Sequence, residues 1–310
     1  MLPPALRLLT PLSLLAIVAS GCTAKSTSAP DAARGPSVTE RQVFTDGLER
    51  KVSLPRHPQR IISLAPSVTE VLYLLGADDR LVGVTTHCNW PEAARSKPKI
   101  GDLINPGYER ILAAKPDLVI ASTAGNDRSA VMKLVDLGLP VYVTAPRSVE
   151  RIFKTVEAIG QITDRAQMGE TLIARMTQRL DEVKHRLAGL PPVHAFFITW
   201  FDPLLTPGRY TFENGVLLLA GVESISADVD QFYPRFSLEQ VLARDPDAII
   251  TVQHEGTLLP DLSRVAGWQR LRAVRAGRIY VLNEVFQHPS PRFVDGVEEL
   301  AHKLHPERFK

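Results

Sequence analysis

Two cysteines in 310 residues, Cys22 and Cys88, are too few for a disulfide framework, so any folded body has to be held by its apolar core. The most apolar stretch at the start of the chain, Leu8 to Val18, is about eleven residues long, short of the roughly 20 residues that a membrane-spanning helix needs. Charge of one sign is also lacking: the formal net charge is +2, and no Lys/Arg run offers a nucleic-acid footprint, so nucleic acid is excluded as a partner. G-x-S-x-G, H-E-x-x-H, Walker A and C-x-x-C are all missing from the sequence. Their absence ranks an exported hydrolase or metal-dependent oxidoreductase below a non-enzymatic function. What is present, 45% hydrophobic and 23% charged residues, is ordinary for a globular chain long enough for two domains.

The N-terminus has the parts of an export signal. Arg7 precedes the apolar stretch, and Ala19-Ser20-Gly21 supplies small residues before Cys22. This arrangement resembles a lipobox, with residues 1–21 removed and Cys22 acylated. It departs at Ala19, where Leu is usual. Residues 22–37 then read as a tether rich in Ala, Ser, Thr and Pro without hydrophobic periodicity. The expected location is exported, on the periplasmic or extracellular face, with the acyl chains holding the protein to the membrane.

The mature chain repeats itself. Glu109-Arg-Ile-Leu-Ala-Ala-Lys-Pro-Asp-Leu-Val-Ile120 aligns without a gap on Glu239-Gln-Val-Leu-Ala-Arg-Asp-Pro-Asp-Ala-Ile-Ile250, with six of twelve positions identical. Each copy reads as a helix, a Pro-Asp turn and a buried strand. Upstream, Ile61–Leu64 and Ala195–Ile198 read as strands, followed by helices over Thr69–Leu75 and Asn214–Ala220 that stop at Gly76 and Gly221. Downstream, Gly138–Val143 resembles Ala276–Val281. Such alternation predicts an α/β fold of two Rossmann-like lobes, each with a parallel sheet, over residues 38–147 and 191–310.

Residues 148–190 are expected to connect them. Arg147 to Leu190 contains no proline, and Leu172, Met176, Leu180, Val183 and Leu187 share one helical face. A continuous helix from Asp164 to Leu187 would measure about 36 Å, enough to run along both lobes as a single long backbone helix. A packed helix, unlike a Gly/Ser hinge, implies stiff lobes and small motion.

This layout resembles the class III, helical-backbone solute-binding proteins of ABC importers, and within them the vitamin B12-binding branch. The stretches that carry the resemblance are Pro58–Glu70, Cys88–Ala93, the two Glu-containing repeats and Pro289-Ser-Pro-Arg292. The resemblance implies a monomer without intrinsic cofactor that works with the transmembrane subunits and ATPase of a permease. It places Glu109 and Glu239 as the acidic residues that dock each lobe on permease arginines.

Ligands of open α/β sheets sit beyond the carboxyl ends of the strands. That rule, with the resemblance, nominates Ser67, His87, Trp90, Trp200, Tyr210, Tyr233, His254 and His288 as ligand contacts. The second-lobe loops are rich in aromatics (Phe201, Phe232 and Phe286 besides those named) and suit a planar ligand such as a tetrapyrrole. Cobalamin or a related corrinoid is the expected ligand. His87 is the first candidate for an axial ligand of a bound metallocofactor, no metal site of the protein's own being expected. Leu103 and Ser122 stand where corrinoid binders of this group carry Trp, which leaves haem, siderophores and metal chelates open as alternatives.

Overall fold

The structure is a computed structural model that describes residues 40–253 and 259–310. The signal segment 1–21, Cys22, the tether to residue 37 and His254 lie outside the described residues.

The described chain opens with a hairpin that the sequence reading passed over, β1 (Arg41–Thr45) against β2 (Lys51–Pro55). Asp46 makes its turn, accepting from the backbone amides of Leu48 and Arg50 and from the Arg50 guanidinium at 2.6 Å. Gly47 follows because the turn lies flat on the main chain of Ala145, where a Cβ would come within 2.6 Å of the amide nitrogen.

Two parallel four-stranded sheets follow. β3 (Ile61–Ser63), β4 (Leu81–Val84), β5 (Leu118–Ser122) and β6 (Val141–Thr144) lie in the order β4-β3-β5-β6. β7 (Val193–Ile198), β8 (Val222–Ser224), β9 (Ala248–Val252) and β10 (Ile279–Leu282) lie in the order β8-β7-β9-β10. Each sheet thus has its second strand outermost beside its first, and the internal repeat is a repeat of topology. The central strands of both are buried on both faces, as parallel sheets require. In the first, Ile61, Leu118 and Ile120 join one apolar cluster while Ile62, Val119 and Ala121 join the other. In the second, Phe197 and Ile250 face one way, Phe196 and Ile249 the other.

The covering helices also match. α1 (Pro66–Leu74) and α2 (Glu92–Arg95) flank the first sheet together with α3 (Tyr108–Ala113) and α4 (Arg128–Asp136). After the connecting helices α5 (Val149–Ile162) and α6 (Ala166–Arg186), the second sheet takes α7 (Phe212–Leu219), α8 (Leu238–Arg244), α9 (Arg272–Arg275) and α10 (Phe293–Leu304). α1 starts three residues earlier than its sequence reading, with Pro66 in the first turn where its missing N–H is not needed. α7 starts two residues earlier, because Thr211 caps it by accepting from the Asn214 amide.

The repeated Pro-Asp has one role in both halves. Asp117 accepts from the amides of Gln59 and Arg60 at 2.7 and 2.8 Å, and Asp247 accepts from that of His194 at 3.2 Å. Each carboxylate therefore clamps the start of the sheet's first strand. Before each Pro, the residue at matched position takes a left-handed conformation, Lys115 at φ 46° and Asp245 at φ 34°.

The connecting segment holds two helices that cross both lobes. α6, 21 residues and about 32 Å long, packs Ile173 against the first lobe's core and Met176 and Val183 against the second's, with Leu172 touching both. α5 crosses in the opposite direction: Ile152 belongs to the second core, and Val156, Ile159 and Ile162 to the first. The helix expected over 164–187 runs over 166–186, because Asp164 turns left-handed at φ 57° ahead of it, and α5 lies beside it as a second brace. Their backbones approach at Gly169, where a Cβ would lie 3.4 Å from the carbonyl oxygen of Val156. Arg179 on α6 also reaches α10 with a two-pronged contact to Glu298 at 2.8 and 2.6 Å and a third to Asp295 at 2.7 Å.

Candidate functional site

The carboxyl ends of the strands of both lobes open on a cavity of about 560 Å³, within the usual range for small-molecule sites. The first lobe lines it with Thr123, Ala124 and Gly125 after β5, and with Pro146 and Arg147 after β6. The second lobe contributes Tyr210 through Glu213 at the start of α7, then Phe232, Tyr233, Gln287 and Pro289.

On the first-lobe side the loops are locked by Asn126. Its amide nitrogen donates to the carbonyls of Leu64 and Leu103 at 2.8 and 2.9 Å, and its oxygen accepts from the Ser122 amide at 2.9 Å. One side chain therefore fixes three loops beneath the first-lobe wall. The wall itself carries no aromatic ring among the described residues, and the Thr123 hydroxyl in it is buried without a hydrogen-bond partner.

On the second-lobe side the wall is aromatic. Tyr210, Phe232 and Tyr233 are 59%, 56% and 46% exposed, an unusual display of large rings for a monomer surface. Tyr233 is oriented from below: its hydroxyl lies 2.9 and 3.2 Å from the two carboxylate oxygens of Glu213. Glu213 is buried, and burial pushes its carboxyl pKa up. Burial, then the charge of Glu213, pushes the Tyr233 phenol up as well.

A third feature joins the lobes beside the cavity. Glu70 on α1 is 2% exposed and accepts from the Ser290 hydroxyl at 2.5 Å. Arg292 and His288, on the same second-lobe segment, bring nitrogens to 3.7 and 3.8 Å of the other carboxylate oxygen. The Arg292 guanidinium lies 4.3 Å from the centre of the Trp90 ring. The quoted stretches ending at Glu70 and Arg292 thus meet across the lobe boundary.

The nominated residues divide accordingly. Tyr210 and Tyr233 are in the cavity wall. His288 sits between two wall residues, Gln287 and Pro289, with its Nδ1 turned toward Glu70. Trp90 lies under Arg292, and Ser67 is buried in the first turn of α1. His87 is exposed outside the wall, its Nε2 3.4 Å from Asp102. Trp200 is also exposed and away from the wall, its indole N–H donating to the Asp202 carbonyl at 2.8 Å. Phe201 packs on Trp268, and Phe286 stacks on Phe197 in the core at 5.5 Å between ring centres. Cys88 is a core residue, 1% exposed, between the hydroxyls of Thr69 and Thr85. No cluster of three metal-ligating side chains occurs among the described residues. Glu109 and Glu239 are both exposed and both second in their helices, α3 and α8. For Glu239 the Ser237 hydroxyl, then a backbone amide, lowers the carboxyl pKa.

Sequence reasoning missed Glu70, Glu213 and Asn126 as individual residues. An acidic residue in the first turns of a helix is ordinarily solvated, so the two glutamates gave no signal of burial. Asn126 stood in a loop without marking its three partners.

The model of the periplasmic binding protein family matches residues 61–285. The chain belongs to that family. The uncharacterized ABC transporter substrate-binding lipoprotein YvrC of Bacillus subtilis (strain 168) is 28% identical over 307 residues, 96% of each chain. The crystal structure of the periplasmic vitamin B12 binding protein BtuF of Vibrio cholerae superposes with a TM-score of 0.70 at 31% identity, covering 82% of this chain and 99% of that one. A periplasmic heme binding protein from Pseudomonas aeruginosa superposes at 0.70 with 26% identity, covering 80% and 93%. As a family member the chain is a periplasmic solute-binding protein of an ABC transporter.

Proposed function

We propose that the protein captures cobalamin or a related corrinoid in the cleft between its lobes and delivers it to an ABC permease. The observation that carries this reading is the aromatic wall. Tyr210, Phe232 and Tyr233 present flat apolar faces to a cavity opposite Thr123, Ala124, Gly125, Pro146 and Arg147, a shape that takes one face of a large planar ring. The BtuF likeness supports the ligand class. Tyr210 and Tyr233 are the first contacts, with His288 at the edge and Ser67, His87, Trp90, Trp200 and His254 further candidates. Glu109 and Glu239, at equal positions on the two lobes, form the docking pair for the permease, a pseudo-twofold arrangement of like charges that suits a two-subunit basic partner. Cys22 holds the protein to the membrane through its lipid.

Calorimetric titration with cyanocobalamin, cobinamide and haemin tests the ligand. Submicromolar binding of either corrinoid, weakened at least tenfold by Tyr233→Ala, is the expected result. Binding of haemin alone would move the ligand to haem. No binding of any of the three would defeat the aromatic-wall reading.

A further inference from the structure

The cleft contains a buried acid that the aromatic wall does not by itself explain. Glu213 is 5% exposed, and no cation of the described residues contributes to its carboxyl environment. An ionised carboxylate has about four acceptor sites. The backbone amide of Glu213 itself donates to its carboxylate, and one side-chain hydroxyl, that of Tyr233, is shared between its two oxygens. An acid buried with so few donors costs stability, so the arrangement favours a ligand that brings donors of its own. The Thr123 hydroxyl on the facing lobe is likewise buried and unpartnered in the cavity lining. Among the described residues of that lining Arg147 is the one basic residue, and it is exposed on the first-lobe side. Among the described residues, the charge buried in the lining is therefore negative, that of Glu213.

We propose that Glu213 sets the chemical specificity of the cleft, selecting planar ligands whose rim presents carboxamide N–H donors and rejecting those whose rim presents carboxylates. This rests on the cleft as the ligand site and deepens that reading. Two effects act together. A carboxamide satisfies the carboxylate's open acceptor sites, and a ligand carboxylate in the same place would face it as an unpaired like charge. Tyr233 is the intermediary: its ring offers the stacking face, and its hydroxyl, held by the acid, orients that ring.

The test compares two corrins with the same ring and different rims, dicyanocobinamide with its carboxamides and dicyanocobyrinic acid with carboxylates in their place. Haemin serves as a second carboxylate-bearing plane. The wild-type protein is expected to prefer cobinamide over cobyrinic acid at least tenfold, the size of one charge-assisted hydrogen bond. Glu213→Gln, nearly the same shape without the charge, is expected to shrink that preference about tenfold and to tighten haemin. Tyr233→Phe leaves the charge in place and is expected to retain the preference while weakening both corrins, which covers the case of a poorly folding Glu213 variant. An unchanged ratio in Glu213→Gln, or a ratio abolished by Tyr233→Phe, would overturn the proposal. If neither corrin binds the wild-type protein, the corrinoid reading fails. The haemin arm then decides the role of Glu213: a gain of about tenfold in Glu213→Gln supports charge selection, and no gain overturns it.

Discussion

The two lobes share one strand order and one set of covering helices, yet their loops have gone separate ways. Around the first sheet the polar side chains serve the backbone: Asp46 closes a hairpin, Asn126 ties three loops and Asp117 clamps two amides. Around the second sheet the corresponding clamp, Asp247, takes a single amide, and the exposed aromatics Trp200, Tyr210, Phe232 and Tyr233 all fall there. The difference teaches that the repeat retains what the parallel sheet demands of its main chain. The side chains at the cleft are free to differ. One lobe makes a wall tied down by Asn126 and without rings among the described residues, the other a wall of rings.

The sharpest way to break this comparison is to cut the contact that belongs to neither lobe alone. Glu70→Ala leaves half-buried Arg292 with only Asp295, at 3.9 Å, as a carboxylate partner and Ser290 without its acceptor. A loss of about 3 kcal/mol in unfolding free energy is expected from urea denaturation. A loss below about 1 kcal/mol would mean that water replaces the contact freely.

The first lobe's buried phenol gives the next largest effect. Burial, with the charge of Asp46 added, holds the Tyr142 pKa up at about 12. The unfolded chain ionises near its ordinary value of about 10, so the stability contribution is complete below that pH and is lost as pH rises toward 12. Tyr142→Phe should remove about 2 kcal/mol of the alkaline fall in stability, read as the difference between the two proteins at pH 9 and pH 12. Equal alkaline curves would show that Tyr142 is already solvated.

The smallest effect separates the two clamps. Asp117→Ala should cost about 2 kcal/mol and Asp247→Ala about 1 kcal/mol, from the number of amide donors each leaves unpaired. Arg272 pairs with Asp247 at 3.0 Å but stands half-exposed, so that ion pair adds little. Equal losses from the two substitutions would erase the asymmetry drawn above.

Much of the fold was legible because it is written locally. A helix, a Pro-Asp turn and an apolar run at matched offsets identify a parallel sheet built twice, and the face shared by Met176, Val183 and Leu187 identifies α6. The β1–β2 hairpin was missed although Asp46-Gly47 marks its turn, because its strands carry no strong alternation of apolar residues. α5 was absorbed into the same proline-free run as α6, and only the packing shows that it crosses too. The candidate site was less legible. Ser290 and Glu70 are 220 residues apart, and Glu213 meets Tyr233 across a loop, so neither pairing leaves a mark in sequence spacing. The aromatic character of the second-lobe loops was readable, but which rings face solvent and which fill the core depends on tertiary burial.

The crossing of α5 and α6 has a thermodynamic consequence. Because Ile152 and Val156 on one helix, and Ile173 and Met176 on the other, are rooted in different cores, neither lobe can melt without stripping apolar cover from its neighbour. The two halves, though each has its own sheet, are one cooperative unit with a common unfolding free energy, and calorimetry of the ligand-free protein should trace a single heat-absorption peak.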